Sequence, residues 1–133
     1  MKLFADTNFL LDFASRQRAD HDAAMSLGDM IAAGMYDAAI CASSLKDVYY
    51  ILRKDYTDSE RRDFIDAMTQ LFEVLPLDPE SCTAALKSDE PDYEDGIIRA
   101  VAEKWEADYI VTRDAGGFTR SFIPKIHPDA FLA

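Results

Sequence analysis

Four aspartates, Asp6, Asp47, Asp95 and Asp114, recur at matching places in a chain that alternates short apolar runs with helical ones. Asp6 ends the first apolar run, Leu3 to Ala5, and Asp47 lies one turn into the helix after the second, Asp37 to Cys41. Asp95 falls in the first turn of the helix leading to the fourth, and Asp114 just beyond that run, Tyr109 to Val111. In an open α/β sheet, ligands bind in the crevice outside the carboxyl ends of the strands. Asp6, Asp47 and Asp114 are therefore expected at one end of one sheet, and Asp95 joins them if its helix starts there. Carboxylates gathered in one pocket repel and take up protons unless a cation joins them. Mg²⁺ or Mn²⁺ suits an all-oxygen donor set. Such a centre polarises a phosphoryl oxygen and makes a nucleophile of water.

Each acid also has an ordinary structural reading. Asp6 can cap the first helix. Asp47 stands three residues after Ser44 and can complete a capping box. Asp95 lies four residues before Arg99, the spacing of a helical ion pair. Asp114 can form an Asx turn ahead of Gly116-Gly117. Asp92 is an N-cap that can belong to the outer edge of a cluster, and Asp12 and Glu94 read as solvated or capping acids.

The elements that must position these groups follow from pattern and punctuation. A short helix follows Asn8, and Arg16 to Asp22 reads as a turn. Ala23, Ala24, Leu27, Met30 and Ile31 repeat at helical spacing, closed by Gly34. Ser43 or Ser44 is a candidate cap for a helix whose inner stripe is Leu45, Val48, Tyr49 and Leu52. Thr57-Asp58-Ser59-Glu60 is a capping box, opening a helix with Phe64, Met68, Leu71 and Phe72 inward. Val74-Leu75 is a third strand, and Asp78-Pro79 starts a helix running to about Lys87. Asp92 caps a helix with Ile97, Ile98, Val101 and Trp105 inward, and Ile123 to Ile126 is a weak last strand. Strands alternating with helices predict an α/β protein: three layers, α/β/α, around a central, mostly parallel sheet.

The length, 133 residues, is that of one domain, and 49% hydrophobic with 11% aromatic residues excludes a disordered chain. Cys41 and Cys82 lie in no metal-ligand spacing and read as reduced thiols of a cytoplasmic protein. No apolar run approaches a membrane span, and no cleavable signal is visible at the start. A formal net charge of −11 does not by itself point to nucleic acid. Either the acids solvate the surface or several share one cation.

Asp6-Thr7-Asn8 after the first strand, Asp95-Gly96-Ile97-Ile98-Arg99-Ala100 opening a helix, and Val111-Thr112-Arg113-Asp114 with Phe118 form an ordered set. With Ile123-Pro124 and the tail Pro128 to Leu132, this set resembles the PIN-domain nucleases, including the VapC-type toxin ribonucleases of bacterial toxin–antitoxin pairs. The resemblance covers nearly the whole chain. It implies a single PIN-like domain over residues 1–133, strand order 3-2-1-4-5, and a Mg²⁺ or Mn²⁺ site built from Asp6, Asp95 and Asp114. The family usually carries a glutamate at a fourth position, which Asp47 matches with a side chain one methylene shorter. Asn8 and Thr112 are then supporting hydrogen-bond partners, and Lys46, Arg53, Lys54 and Arg113 candidates for holding flanking phosphates. The implied activity is metal-dependent cleavage of RNA by the toxin of a type II toxin–antitoxin pair, with an antitoxin as partner and a homodimer as a further possibility. The alternative is a weak or inactive PIN domain acting as an RNA-binding or protein-interaction module. Phosphatase and receiver-type domains also set acids at strand ends, but the first strand lacks their paired leading acids.

Overall fold

β1 (Lys2–Ala5) alternates its side chains so that Leu3 and Ala5 point to one face of the sheet and Phe4 to the other, and all three are buried. The molecule is described by a computed structural model covering residues 1–132. β1 is followed by α1 (Thr7–Ala14), α2 (His21–Ala32), β2 (Asp37–Cys41), α3 (Ala42–Ile51), α4 (Asp58–Leu71), β3 (Glu73–Leu75), α5 (Pro79–Lys87), α6 (Tyr93–Trp105), β4 (Tyr109–Val111) and β5 (Lys125–Ile126). Short 3-10 turns follow α3 and close the described chain. The five strands form one parallel sheet in the order 3-2-1-4-5.

Both faces of the sheet are covered, as the strand pattern requires. Leu3, Ala5, Ala38, Ile40 and Val111 pack with Phe9, Leu10, Leu27, Val48 and Met68 of α1 to α4. Phe4, Ala39, Cys41 and Ile110 pack on the opposite side with Ile98, Val101 and Ala102 of α6. β1 is the central strand, with Phe4 opposite Ala39 of β2 and Ile110 of β4. Asp6 and Thr112 therefore leave the sheet side by side, although 106 positions separate them.

The stop and start signals hold at several ends. Gly34 takes a φ of +79° after α2, the conformation for which a C-terminal glycine is suited. Thr57 and Glu60 exchange both bonds of the capping box. Asp78 accepts from Ser81 N at 2.8 Å, with Pro79 opening α5.

Three boundaries differ from the sequence reading. α2 starts at His21, because the His21 ring is held by the Asp12 carbonyl at 2.9 Å and the polar residues before Ala23 join the helix. α3 starts directly from β2 at Ala42 without a side-chain cap. Ser44 is fully buried, and its hydroxyl bonds Thr7 Oγ1 at 2.8 Å instead of a helix N–H. β5 is confined to Lys125 and Ile126, since Pro124 has no N–H to give the ladder. Both cysteines are free, and no helix among the described residues is long and apolar enough to cross a membrane.

Candidate active site

Asp6 occupies the carboxyl end of β1 and is only 5% exposed. Its Oδ1 accepts from Thr7 N at 2.7 Å, so it does cap α1. Its Oδ2 accepts from the Thr112 hydroxyl at 2.8 Å and from Asn8 Nδ2 at 3.2 Å. Thr112 is buried as well, and its oxygen also accepts from Asn8 Nδ2 at 3.2 Å and from Asp114 N at 3.1 Å. One hydroxyl thus gives its proton to the acid of β1 and receives two, one from the backbone of the acid that follows β4. Both neighbours of the Asn8 amide group are acceptors, which fixes its orientation. Its Oδ1 is buried with no partner among the described residues.

Asp95 and Asp114 lie together at the edge of the site. A Cβ placed on Gly117 would lie 2.8 Å from Asp114 Oδ2 and 3.0 Å from Asp95 Oδ2, so both carboxylates crowd the same point. Asp95 stands in the first turn of α6, where Asp92, the exposed N-cap, accepts from Glu94 N at 2.7 Å and Asp95 N at 3.3 Å. Burial pushes the Asp95 carboxyl up to about 7, reinforced by the negative charges of Asp6, Asp92 and Asp114 and by a hydrogen bond to Asp114 that its protonated form makes. Asp6 is also raised, first by burial and then against the opposing bonds from Thr112 and Thr7. Arg99 does not relieve Asp95. It is taken by Asp89 at 2.6 Å, Glu103 at 2.8 Å and Glu90 at 3.3 Å.

A cleft of about 300 Å³ opens above this group, lined by Asp6, Lys46, Asp47, Tyr93 and Asp95 among others. Asp47 and Lys46 are therefore brought to the acids, and the Thr7–Ser44 bond ties the helix that carries them to the end of β1. Asp114 approaches from beyond β4 and turns its Oδ1 to Gly116 N at 2.9 Å, the Asx turn foreseen for it. Arg53 and Lys54 follow α3 and do not line the cleft. Arg113 is committed elsewhere, since its Nε donates to Asp12 Oδ2 at 2.8 Å. Asp12 is 2% exposed rather than solvated, and Arg18 approaches its other oxygen at 3.7 Å.

The sequence reading missed the group that holds the segment after Asp114. Lys125 Nζ donates to the carbonyls of Asp114, Ala115 and Gly117 at 3.0, 2.7 and 2.8 Å. All three ammonium protons are used. Glu90, at the break before α6, secures the same loop by accepting from Phe118 N at 3.1 Å. Lys125→Met is expected to cost about 1–2 kcal/mol and to accelerate hydrogen–deuterium exchange at residues 115–117. Unchanged exchange would show that other contacts hold the loop. Gly117→Ala, by forcing the two carboxylates apart, is expected to weaken Mn²⁺ binding about tenfold or more in calorimetry. Full affinity in that variant would mean that the space at Gly117 is not needed.

The residues suit a hard divalent cation. The donors are carboxylate oxygens, two of the carboxyls hold protons above their ordinary range through burial and then the charges of neighbouring acids, and Asn8 Oδ1, which has no partner among the described residues, is an acceptor that a bound water would satisfy. Among the described residues no three His, Cys, Asp or Glu side chains already stand in metal-ligating positions. The Asp95 and Asp114 carboxylates instead face one another across the space at Gly117.

Comparison with known proteins agrees with the fold. The model of the PIN domain matches residues 2–116, and the chain belongs to the PIN domain family. Its fold is similar to VapBC2 from Rickettsia felis, solved bound to a DNA fragment from their promoter, with a TM-score of 0.70 at 15% identity over 96% of this chain and 98% of that one. It is similar to a toxin–antitoxin complex from Klebsiella pneumoniae, with a TM-score of 0.64 at 21% identity over 96% and 98%. It is also similar to VapC20 of Mycobacterium tuberculosis, a sarcin–ricin loop cleaving toxin, with a TM-score of 0.64 at 16% identity over 81% and 86%. No curated protein matches the chain.

Proposed function

We propose that the chain is a Mg²⁺- or Mn²⁺-dependent endoribonuclease and the toxin of a type II toxin–antitoxin pair. The observation that carries this reading is the meeting of Asp6, Asp95 and Asp114 beside the cleft, where burial and then the neighbouring negative charges raise the Asp95 carboxyl to about 7. Asp6, Asp95 and Asp114 would hold the cation. When bound, it would neutralise the acids, polarise a phosphoryl oxygen and acidify an attacking water. Asp47, on the α3 side of the cleft, orients that water and takes its proton. Thr112 and Asn8 keep Asp6 in place, and Lys46 offsets the charge of a phosphate entering the cleft. In-line attack at phosphorus leaves a 5′-phosphate and a 3′-hydroxyl, the outcome the family resemblance implies. The toxin role draws support from the toxin–antitoxin complexes among proteins of the same fold. A protein antitoxin and a symmetric dimer are the partners that go with it.

Asp6→Asn and, separately, Asp114→Asn are expected to lower RNA cleavage with Mn²⁺ by about 100-fold or more. Undiminished cleavage in both would end the assignment. One residue favours a second reading, a PIN domain that binds without turnover: Asp47 has a shorter reach than the family's glutamate. Asp47→Glu separates the two, because a slow enzyme gains activity and a binding module does not.

A further inference from the structure

We infer that the outer face of α3 is a track for single-stranded RNA, on which the Tyr50 ring stacks one unpaired base flanking the scissile bond. The inference rests on the ribonuclease reading and adds the residue that holds a base beside the reacting bond.

The track is continuous with the acids. Lys46 and Asp47 line the cleft together with Asp6 and Asp95, and the same two residues line a neighbouring hollow with Tyr49 and Tyr50. Tyr50 is 60% exposed, a large ring left open to solvent one turn along the helix from the cleft wall. Arg53 backs it, with its guanidinium carbon 3.7 Å from the ring centroid and its Nη1 bonded to Tyr50 O at 2.9 Å. That contact fixes the ring and puts a cation beside it, while the exposed remainder can take a planar ligand.

Charge points to a polyanion. From Ala42 to Lys54 the chain carries Lys46, Arg53 and Lys54 against a single acid, Asp47, in a protein of formal net charge −11. Of the other cations, Arg113, Arg120 and Lys125 are committed to internal contacts, Arg61 donates to Tyr49 O and Arg62 pairs with Asp58. Lys46 and Lys54 make no ion pair or hydrogen bond among the described residues. Aromatic rings interleaved with unpaired cations are what an unstructured nucleic acid strand requires, because stacking uses the face of a base and phosphates need positive charge. A base inside a duplex has no free face, so the track selects unpaired RNA.

The test uses Asp6→Asn as a parent that binds without turnover. Anisotropy of a labelled, unstructured RNA oligonucleotide is measured for the parent and for added Tyr50→Ala, Tyr50→Trp, and Lys46→Gln with Arg53→Gln. Tyr50→Ala is expected to weaken binding roughly 5- to 100-fold, Tyr50→Trp to restore it, and the double cation variant to flatten the salt dependence by about 0.7 per cation. In the active protein, Tyr50→Ala should raise KM and not lower kcat. Equal affinity in the parent and Tyr50→Ala overturns the inference and leaves the face to a protein partner or to solvent. So does an equal loss of affinity for a duplex of the same sequence. If the unsubstituted protein cuts RNA and Tyr50→Ala shares its KM, only the track falls. If it neither binds nor cuts any RNA, the ribonuclease reading falls with it.

Discussion

Asp95→Asn is expected to make the metal-free protein more stable at pH 8 and, in the same molecule, to remove its response to Mn²⁺. Asp95 holds its proton to about pH 7 in the fold against an ordinary 3.8. Between those values the folded chain binds more protons than the unfolded one, so stability falls as pH rises through this window and the loss is complete above about 7. Over that interval a fully shielded group would be worth about 4 kcal/mol. Asp95 is partly open to solvent, which screens the effect to about 1–2 kcal/mol. Asparagine cannot ionise, so the variant escapes the loss. Its melting temperature should exceed that of the parent by roughly 4–8 °C at pH 8 and differ little at pH 4. Mn²⁺ should reverse the order by stabilising the parent and not the variant, and RNA cleavage should fall about 100-fold or more. A variant less stable than its parent at pH 8 without metal would show that the acids do not repel as the geometry says. Differential scanning fluorimetry across pH, with and without Mn²⁺, reads every arm.

Asp12→Ala should cause a large stability loss by a different route. Asp12 is almost wholly buried on α1 and receives Arg113 Nε at 2.8 Å, with Arg18 at 3.7 Å. Burial raises its carboxyl pKa, and Arg113 and then Arg18 pull it back. Removing one partner of a buried pair costs about 3–5 kcal/mol when the other is left stranded. Here both arginines are about a third exposed and can turn to water, so a smaller loss, about 2–3 kcal/mol, is expected. Chemical denaturation measures it. Arg113 adjoins Asp114, so the same variant should also loosen the loop that carries that acid. Asp12→Asn keeps the shape and one acceptor and should cost less than Asp12→Ala. Equal stability of Asp12→Ala and the parent would show that the pair contributes nothing.

The two positions mark where sequence reading works and where it stops. Asp6 and Asp114 could be assigned to one edge because each follows a short strand bounded by turn residues, and parallel strands deliver their carboxyl ends to one edge, whereas Asp95 was placed there only on condition that its helix began at that end. The strand order came from the family resemblance alone, since punctuation marks where strands lie and not which of them pair. Asp12 was misjudged because its cation comes from a residue 101 positions later, and an acid in a helix with no local partner reads as solvated. Lys125 was invisible because its acceptors are backbone carbonyls, which carry no sequence signal. Ser44 read as a cap because serines at helix starts often are. Its true partner, Thr7, could be placed only once β1 and β2 were paired.

The hydroxyl of Thr112 has a consequence for the order in which this molecule is made. It reaches Asp6 across 106 positions and also accepts from the backbone of Asp114, and β1 receives β4 as a neighbour only after the segment through Val111 has been made. A growing chain on the ribosome therefore carries Asp6 as a solitary carboxylate. The crowding of like charges, and any hydrolytic capacity that goes with it, arises only at the closing step of assembly, when helices α1 to α6 are already available to bear the strain.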